Sequence, residues 1–270
     1  RLHGINDAIE VASVADLPAG SGLGSSSCYL VGLLTSVRDY LRRPVPLQEI
    51  AEEACHIELN ILKKPIGKQD QYMATFGGLT TLAIDPKGKV VVQHIPLEPA
   101  SISTLVANTH MYYTNIQRNT VDVLKDQDQA MKEPKNQDRG RVEDSLLGIK
   151  EIGLAIRDAI VQGDFDQFGI LMDKHWQHKR KLSGKISNSK IDDLYEQLKK
   201  DYGVLGGKIA GAGGGGFLML YSPGNHKELT AHMASLGMKR LHYNVEFEGS
   251  KVITNVFNAQ SLSIHRQQRL

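Results

Sequence analysis

Residues 18–27 read PAGSGLGSSS: three glycines, a proline and four serines in ten positions, directly ahead of an apolar run. This composition suits phosphate. Glycine reaches backbone conformations closed to other residues and leaves no side chain between main-chain N–H groups and a ligand. A helix beginning here would add unpaired N–H groups and the positive end of its dipole. Pro18, Gly20, Ser21, Gly22, Leu23 and Gly24 could line such an anion. Ser25, Ser26 and Ser27 stand at the helix start, where a hydroxyl can cap the helix or reach a phosphate or Mg²⁺. An ordinary strand-to-helix turn with a serine N-cap would use the same residues. The stretch is not a P-loop, because no lysine follows the last glycine as GxxxxGK[ST] requires.

A second group lies in HIELNILKKPIGKQDQYMATFGG (56–78). Glu58 and Asp70 are twelve positions apart, with Pro65 and Gly67 between them to break a helix. Two carboxylates can therefore converge from separate segments. Phosphoryl transfer needs such a pair, one to hold Mg²⁺ and one to accept or orient the proton of the acceptor hydroxyl. Lys68 could keep Asp70 ionised or neutralise a substrate phosphate. The alternative puts Glu58 on a solvated helix face and makes Asp70 a helix cap.

A third group is GGKIAGAGGGGFLML (206–220), with Gly211, Ala212, Gly213, Gly214, Gly215 and Gly216 in succession. Four consecutive glycines cost much entropy to order. Their use would be close approach of the backbone to another loop or to a ligand; a run of β-bulges ahead of a core strand is the simpler explanation. Arg118, after YYTNIQ, could meet a substrate phosphate but also suits a solvated surface. His175, His178 and Lys179 in HWQHKRK lie at helical spacing, without an evident third ligand for a metal.

The elements that would position these groups follow from periodicity. A strand over 7–17 feeds the first glycine-rich loop. A helix over 26–42 presents Leu30, Leu33, Leu34, Val37 and Leu41 on one face. A second helix starts near Pro46 and a short one covers 69–76. GGLTTLAID and KVVVQHIPL form a hairpin turning at Pro86-Lys87-Gly88. A strand is expected over 103–114 and a mobile loop or frayed helix over the polar stretch 122–141. Helices over 142–162, 164–182 and 188–202 lead to the second glycine-rich loop and a buried strand. A helix over 226–237 and a strand over 239–248 follow. The mixture without strict alternation predicts an α+β protein with antiparallel pairing. A boundary at 98–103 divides it into 1–102 and 103–270.

Composition narrows the function classes. Lys and Arg number 32 against 30 Asp and Glu, a net charge of +2, which is not the basic excess of a nucleic-acid-coating surface. No apolar run is long enough to span a bilayer. Neither nucleic acid nor membrane is an expected partner. Cys28 and Cys55 make no disulfide framework or zinc site; with no secretory leader they point to a reducing, cytoplasmic setting. Both read as buried apolar residues. The chain opens on RLHGINDAIEVASVAD, without methionine and within a strand-like pattern, so a further N-terminal portion is expected upstream.

Taken in order, the three motifs resemble the GHMP kinases. PAGSGLGSSSC is similar to the family's PxxxGLGSSA-type phosphate loop, with Ser27 at the usual alanine; GKQDQ (67–71) is similar to its GxxDQ segment, and KIAGAGGGGF (208–217) to its late glycine-rich motif. The resemblance implies ATP and Mg²⁺ as cofactors. It implies Asp70 as the catalytic aspartate, Glu58 and Ser26 as metal ligands, and Gly20, Gly22, Gly24, Ser25 and Ser27 along the triphosphate. Gly211 to Gly215 would support that loop and face the substrate. The implied fold has an N-terminal half with a left-handed βαβ unit and a ferredoxin-like C-terminal half. The family's first motif is absent here. Within the family the wording is most like the kinases acting on D-glycero-D-manno-heptose 7-phosphate at its anomeric hydroxyl, with fucokinase domains similar in the same stretches. A small-molecule sugar phosphate is thus the implied partner. A GHMP-fold nucleotide or sugar sensor without catalysis is the alternative, although such a protein has no need of an intact KQDQ.

Overall fold

The computed structural model describes residues 2–6, 8–17, 20–116 and 139–256; Pro18, Arg118 and most of the polar stretch 122–141 lie outside them. The first helix, α1 (Ser25–Tyr40), starts immediately after Gly24. Its innermost residues are Ser27, Val31 and Leu34, at i, i+4 and i+7. The expected stripe through Leu30, Leu33 and Val37 is only half-buried, so the helix is turned to carry Ser27 inward. Val31 and Leu34 pack on Ile50 and Ala54 of α2 (Leu47–Cys55).

Helix α2 runs without a break into a π-helical turn, His56–Ile61, closed by Leu62 N–H on the Ile57 carbonyl at 2.8 Å. Such turns re-aim a helix face and are frequent at functional sites. Helix α3 (Gln69–Phe76) follows Pro65 and Gly67 where the sequence places it, and a hairpin of β1 (Thr80–Ile84) and β2 (Val90–His94) pairs in register from Thr80↔His94 to Ile84↔Val90. Its turn is held by Asp85, whose carboxylate accepts from the N–H groups of Lys87 and Lys89 at 2.8 and 2.9 Å.

Three expectations are corrected. Residues 8–15 form no strand: no described strand lies beside them to complete a ladder, and Val14 is 98% exposed. The strand expected over 103–114 is α4 (Pro99–Asn108) followed at once by β3 (Thr109–Tyr113). The short apolar run Leu105-Val106 fits either period, and Pro99 at the first helical position carries the start signal. The last strand is short: β6 pairs only at Arg240–Leu241.

The remaining elements are α5 (Arg139–Gln162), α6 (Phe165–Arg180), α7 (Ser189–Tyr202), β4 (Gly206–Ile209), β5 (Phe217–Tyr221) and α8 (His226–Ser235). Asp164 caps α6 by accepting from Gln167 N–H at 3.0 Å, and Asn188 caps α7 by accepting from Ile191 N–H at 3.1 Å. The sheet order is β4-β5-β3-β6, all antiparallel. With helices between β3 and β4 and between β5 and β6, this is the ferredoxin-like arrangement. The main core joins Tyr112, Leu218 and Leu220 of the sheet to Trp176, Tyr195, Leu198, Leu229 and Met233 of the helices. Of the N-terminal half's strands, the described residues hold the β1–β2 hairpin.

Candidate active site

The π-helical turn after α2 swings Glu58 inward until 1% of it is exposed. Both carboxylate oxygens find donors there. Oε1 accepts from Ser26 Oγ and Lys64 Nζ, each at 2.8 Å. Oε2 accepts from Ser27 Oγ at 2.7 Å and from Gln71 Nε2 at 2.5 Å. Lys64 Nζ also lies 2.7 Å from Ser26 Oγ. Burial opposes ionisation of Glu58, but the bonds from Lys64, Ser27, Ser26 and Gln71 together outweigh it, and the carboxyl is held below its ordinary range. The solvated helix face considered for Glu58 is therefore excluded.

Asp70 reaches the same helix end from the other side. It is exposed in the first turn of α3, and its side chain lies on Gly24: a Cβ built there would be 3.4 Å from Asp70 Cγ. Gly24 holds a left-handed conformation (φ 70°) at the N-cap of α1. Asp70 and Gln71 are neighbours in sequence, yet the turn of the helix sends one to the loop and the other to Glu58.

The N-terminus of α1 suits an anion. No side chain caps it among the described residues, and no acidic residue stands in its first turn. Ser21, 2% exposed, buries a hydroxyl with no partner among the described residues. A buried hydroxyl left unpaired is costly, and a phosphate oxygen at this loop would satisfy it.

The second glycine-rich loop meets the first. A Cβ on Gly216 would come 2.3 Å from the Ser21 carbonyl oxygen, while one on Gly215 would come 2.5 Å from that of Ile116 and one on Gly213 2.9 Å from that of Ile186. Gly214 N–H donates to the Ile186 carbonyl at 2.7 Å, and Gly216 N–H to that of Ile116 at 3.0 Å. Lys179 Nζ holds the start of the loop through the carbonyls of Ile209, at 3.3 Å, and Gly211. Nearby His175 is driven to a pKa of about 3 by burial, with Lys208, Lys179 and His178 adding repulsion.

Lys68 stands apart from this cluster. Its ammonium bonds Glu52 at 3.0 Å and the Gly88 carbonyl at 2.7 Å, tying α2 and α3 to the hairpin turn. Lys64 is the lysine that reaches the buried carboxylate, and sequence reasoning missed it, as it missed Gln71. Their signals were adjacency to Pro65 and to Asp70, both too generic to single them out. Cys55 is buried as expected, but Cys28 is exposed, one position past the buried Ser27 on α1. Partial burial and the charge of Asp70 push its thiol pKa up.

Residues 2–78 match the GHMP kinases N terminal domain and residues 156–233 the GHMP kinases C terminal, together more than half of the chain. A D-glycero-alpha-D-manno-heptose 7-phosphate kinase of Campylobacter jejuni subsp. jejuni serotype O:2 is 33% identical over 207 residues, covering 77% of this chain and 59% of that protein. An L-fucokinase/L-fucose-1-P guanylyltransferase of Bacteroides fragilis is 29% identical over 228 residues, covering 82% of this chain and 23% of the relative. The solved structure of a putative sugar kinase from Campylobacter jejuni superposes with a TM-score of 0.66 at 30% identity, covering 87% of this chain and 65% of that one. The chain thus spans less than two thirds of the length of these relatives. With both halves matched in order and the fold shared, the chain belongs to the GHMP kinases.

Proposed function

We propose that the protein transfers the γ-phosphate of ATP to a hydroxyl of a sugar phosphate, with the anomeric hydroxyl of D-glycero-D-manno-heptose 7-phosphate as the acceptor. The observation that carries this reading is the convergence, at the N-terminus of α1, of the Ser26–Glu58 pair from one side and Asp70 from the other. Gly20 to Ser27 would line the phosphates, and Gly211 to Gly215 would brace that loop. Residues 1–102 would then form the nucleotide-binding half and residues 103–270 the C-terminal half.

The donor set fits Mg²⁺. Ser26 Oγ and Glu58 Oε1 are hard oxygen donors with a single charge between them, the kind of partial set that leaves the remaining positions to water and phosphate oxygens. An ammonium already stands against both oxygens as a stand-in cation. When bound there, the ion would neutralise charge on the transferring phosphate. Asp70 would accept the acceptor hydroxyl's proton as its oxygen bonds to phosphorus and ADP departs. Ser27 and Gln71 hold the far oxygen of Glu58, so that the near one keeps its direction. We place the protein in the cytoplasm, a setting that suits two free thiols. Among the described residues no helix is long and apolar enough to cross a membrane.

A coupled ADP-release assay with Mg·ATP tests the reading, offering heptose 7-phosphate, L-fucose, galactose and mevalonate in turn. Turnover with the heptose phosphate is expected. Turnover confined to fucose would keep the transfer and replace the acceptor. No turnover with any acceptor, while ATP binds, would favour the sensor.

A further inference from the structure

We propose that Lys64 is a built-in cation that holds the metal position between Ser26 and Glu58 until Mg²⁺ displaces it, an inference that rests on the metal assignment above. Lys64 Nζ stands 2.7 Å from Ser26 Oγ and 2.8 Å from Glu58 Oε1, the two oxygens assigned to the metal. The other carboxylate oxygen is taken by Ser27 and Gln71. At Glu58 Oε1 a metal therefore finds only lone pairs that the ammonium and the Ser26 hydroxyl now use. Two cations cannot share them without strong repulsion at this distance.

The local backbone suits a displaceable group. Glu58 is fixed, with 1% of its side chain exposed, whereas the Lys64 side chain is 36% exposed and approaches from solvent. Its main chain is anchored independently: Lys64 N–H donates to the Glu58 carbonyl at 2.9 Å, and Pro65 restricts its backbone from the other side. The side chain can leave while its root stays. A buried carboxylate without a counter-charge is strongly disfavoured, so the lysine keeps Glu58 and Ser26 in ligating positions before the metal arrives. Once displaced, the ammonium remains tethered beside the α1 N-terminus, where the phosphates would lie.

The test is Mn²⁺ binding to the nucleotide-free protein, read as loss of the free-ion electron paramagnetic resonance signal. Lys64→Met should bind Mn²⁺ about tenfold more tightly than the unaltered protein, since one charged competitor is gone. Lys64→Arg should stay near the unaltered value, and Glu58→Gln should lose the binding. If Lys64→Met binds no more tightly, whether both proteins bind or neither does, the displacement model is overturned and the metal assignment survives wherever Glu58→Gln still abolishes binding. If Glu58→Gln leaves Mn²⁺ binding intact, the metal assignment falls and this inference with it. Should Lys64→Met fail to fold, the unaltered protein supplies a second readout. Acetylation of Lys64, followed by mass spectrometry, should speed up when Mg²⁺ is added, and an unchanged rate would overturn the proposal.

Discussion

In the loop ahead of α1, a Cβ on Gly20 would meet nothing within 4 Å among the described residues, and one on Gly24 would touch the Asp70 side chain at 3.4 Å. In the loop between β4 and β5, a Cβ on Gly213, Gly215 or Gly216 would run into the carbonyl oxygens of Ile186, Ile116 or Ser21 at 2.9, 2.5 and 2.3 Å. The first loop uses glycine to leave room, and the second uses it to close on its neighbours. Glycine-rich loops that look alike in sequence thus divide the labour: one leaves space ahead of α1, where we propose the phosphates lie, and the other is the packed surface that meets the first at Ser21.

The largest effect should come from the residue beside the open loop. Asp70→Asn is expected to lower turnover by about 10²–10⁴-fold, the usual contribution of a positioned base, with ATP affinity retained; unchanged turnover would remove Asp70 from the chemistry. Glu58→Gln comes next. It leaves the Lys64 ammonium without its charged partner and should destabilise the fold by about 1–3 kcal/mol, read by thermal unfolding, while raising the Mg²⁺ concentration needed for activity.

The two loops can then be set against each other directly. Both glycines hold left-handed backbone (φ 76° at Gly20, 84° at Gly216), so alanine at either should cost about 1–2 kcal/mol. Gly216→Ala must also push Ser21 away and should cost about 1–3 kcal/mol more, whereas Gly20→Ala should add only a raised KM for ATP. Equal stability losses in both variants would break the comparison. Ser27→Ala removes one of four donors to Glu58 and should cost about 1 kcal/mol. The smallest effect is on acid stability. Because the Glu58 carboxyl is held below its ordinary range, its stabilisation is complete above the unfolded value of about 4.3 and is lost as pH falls through the lower folded value. The unaltered protein should therefore lose stability in acid more steeply than Glu58→Gln.

Much of this was legible in the sequence where one residue type had one physical use. The helix start beside Ser26, the break at Pro65-Ile66-Gly67 and the hairpin turn at Pro86-Lys87-Gly88 follow from where glycine and proline interrupt the chain. The convergence of Glu58 and Asp70 was foreseeable from the helix break between them. What failed depended on tertiary contacts. The face α1 buries is set by Ser27 joining Glu58, a polar contact that apolar periodicity ignores, so Val31 was missed and Leu30 overvalued. Cys28 read as a core residue from its type alone, and the rotation of α1 that buries Ser27 leaves it exposed. The segment 8–15 has strand-like alternation, but a strand exists only with a neighbour. Lys64 and Lys68 are alike in sequence, and only the fold sends one to Glu58 and the other to Glu52.

The proposed transfer requires phosphate, metal and base to meet at the N-terminus of α1. A crystal structure with Mg²⁺ and a non-hydrolysable ATP analogue tests it most directly. The phosphates should lie against residues 20–27 with a phosphate oxygen on Ser21, the metal on Ser26 and Glu58, and the Asp70 carboxylate facing the terminal phosphate. A nucleotide seated away from this loop, or a metal with no bond to Glu58, would contradict it.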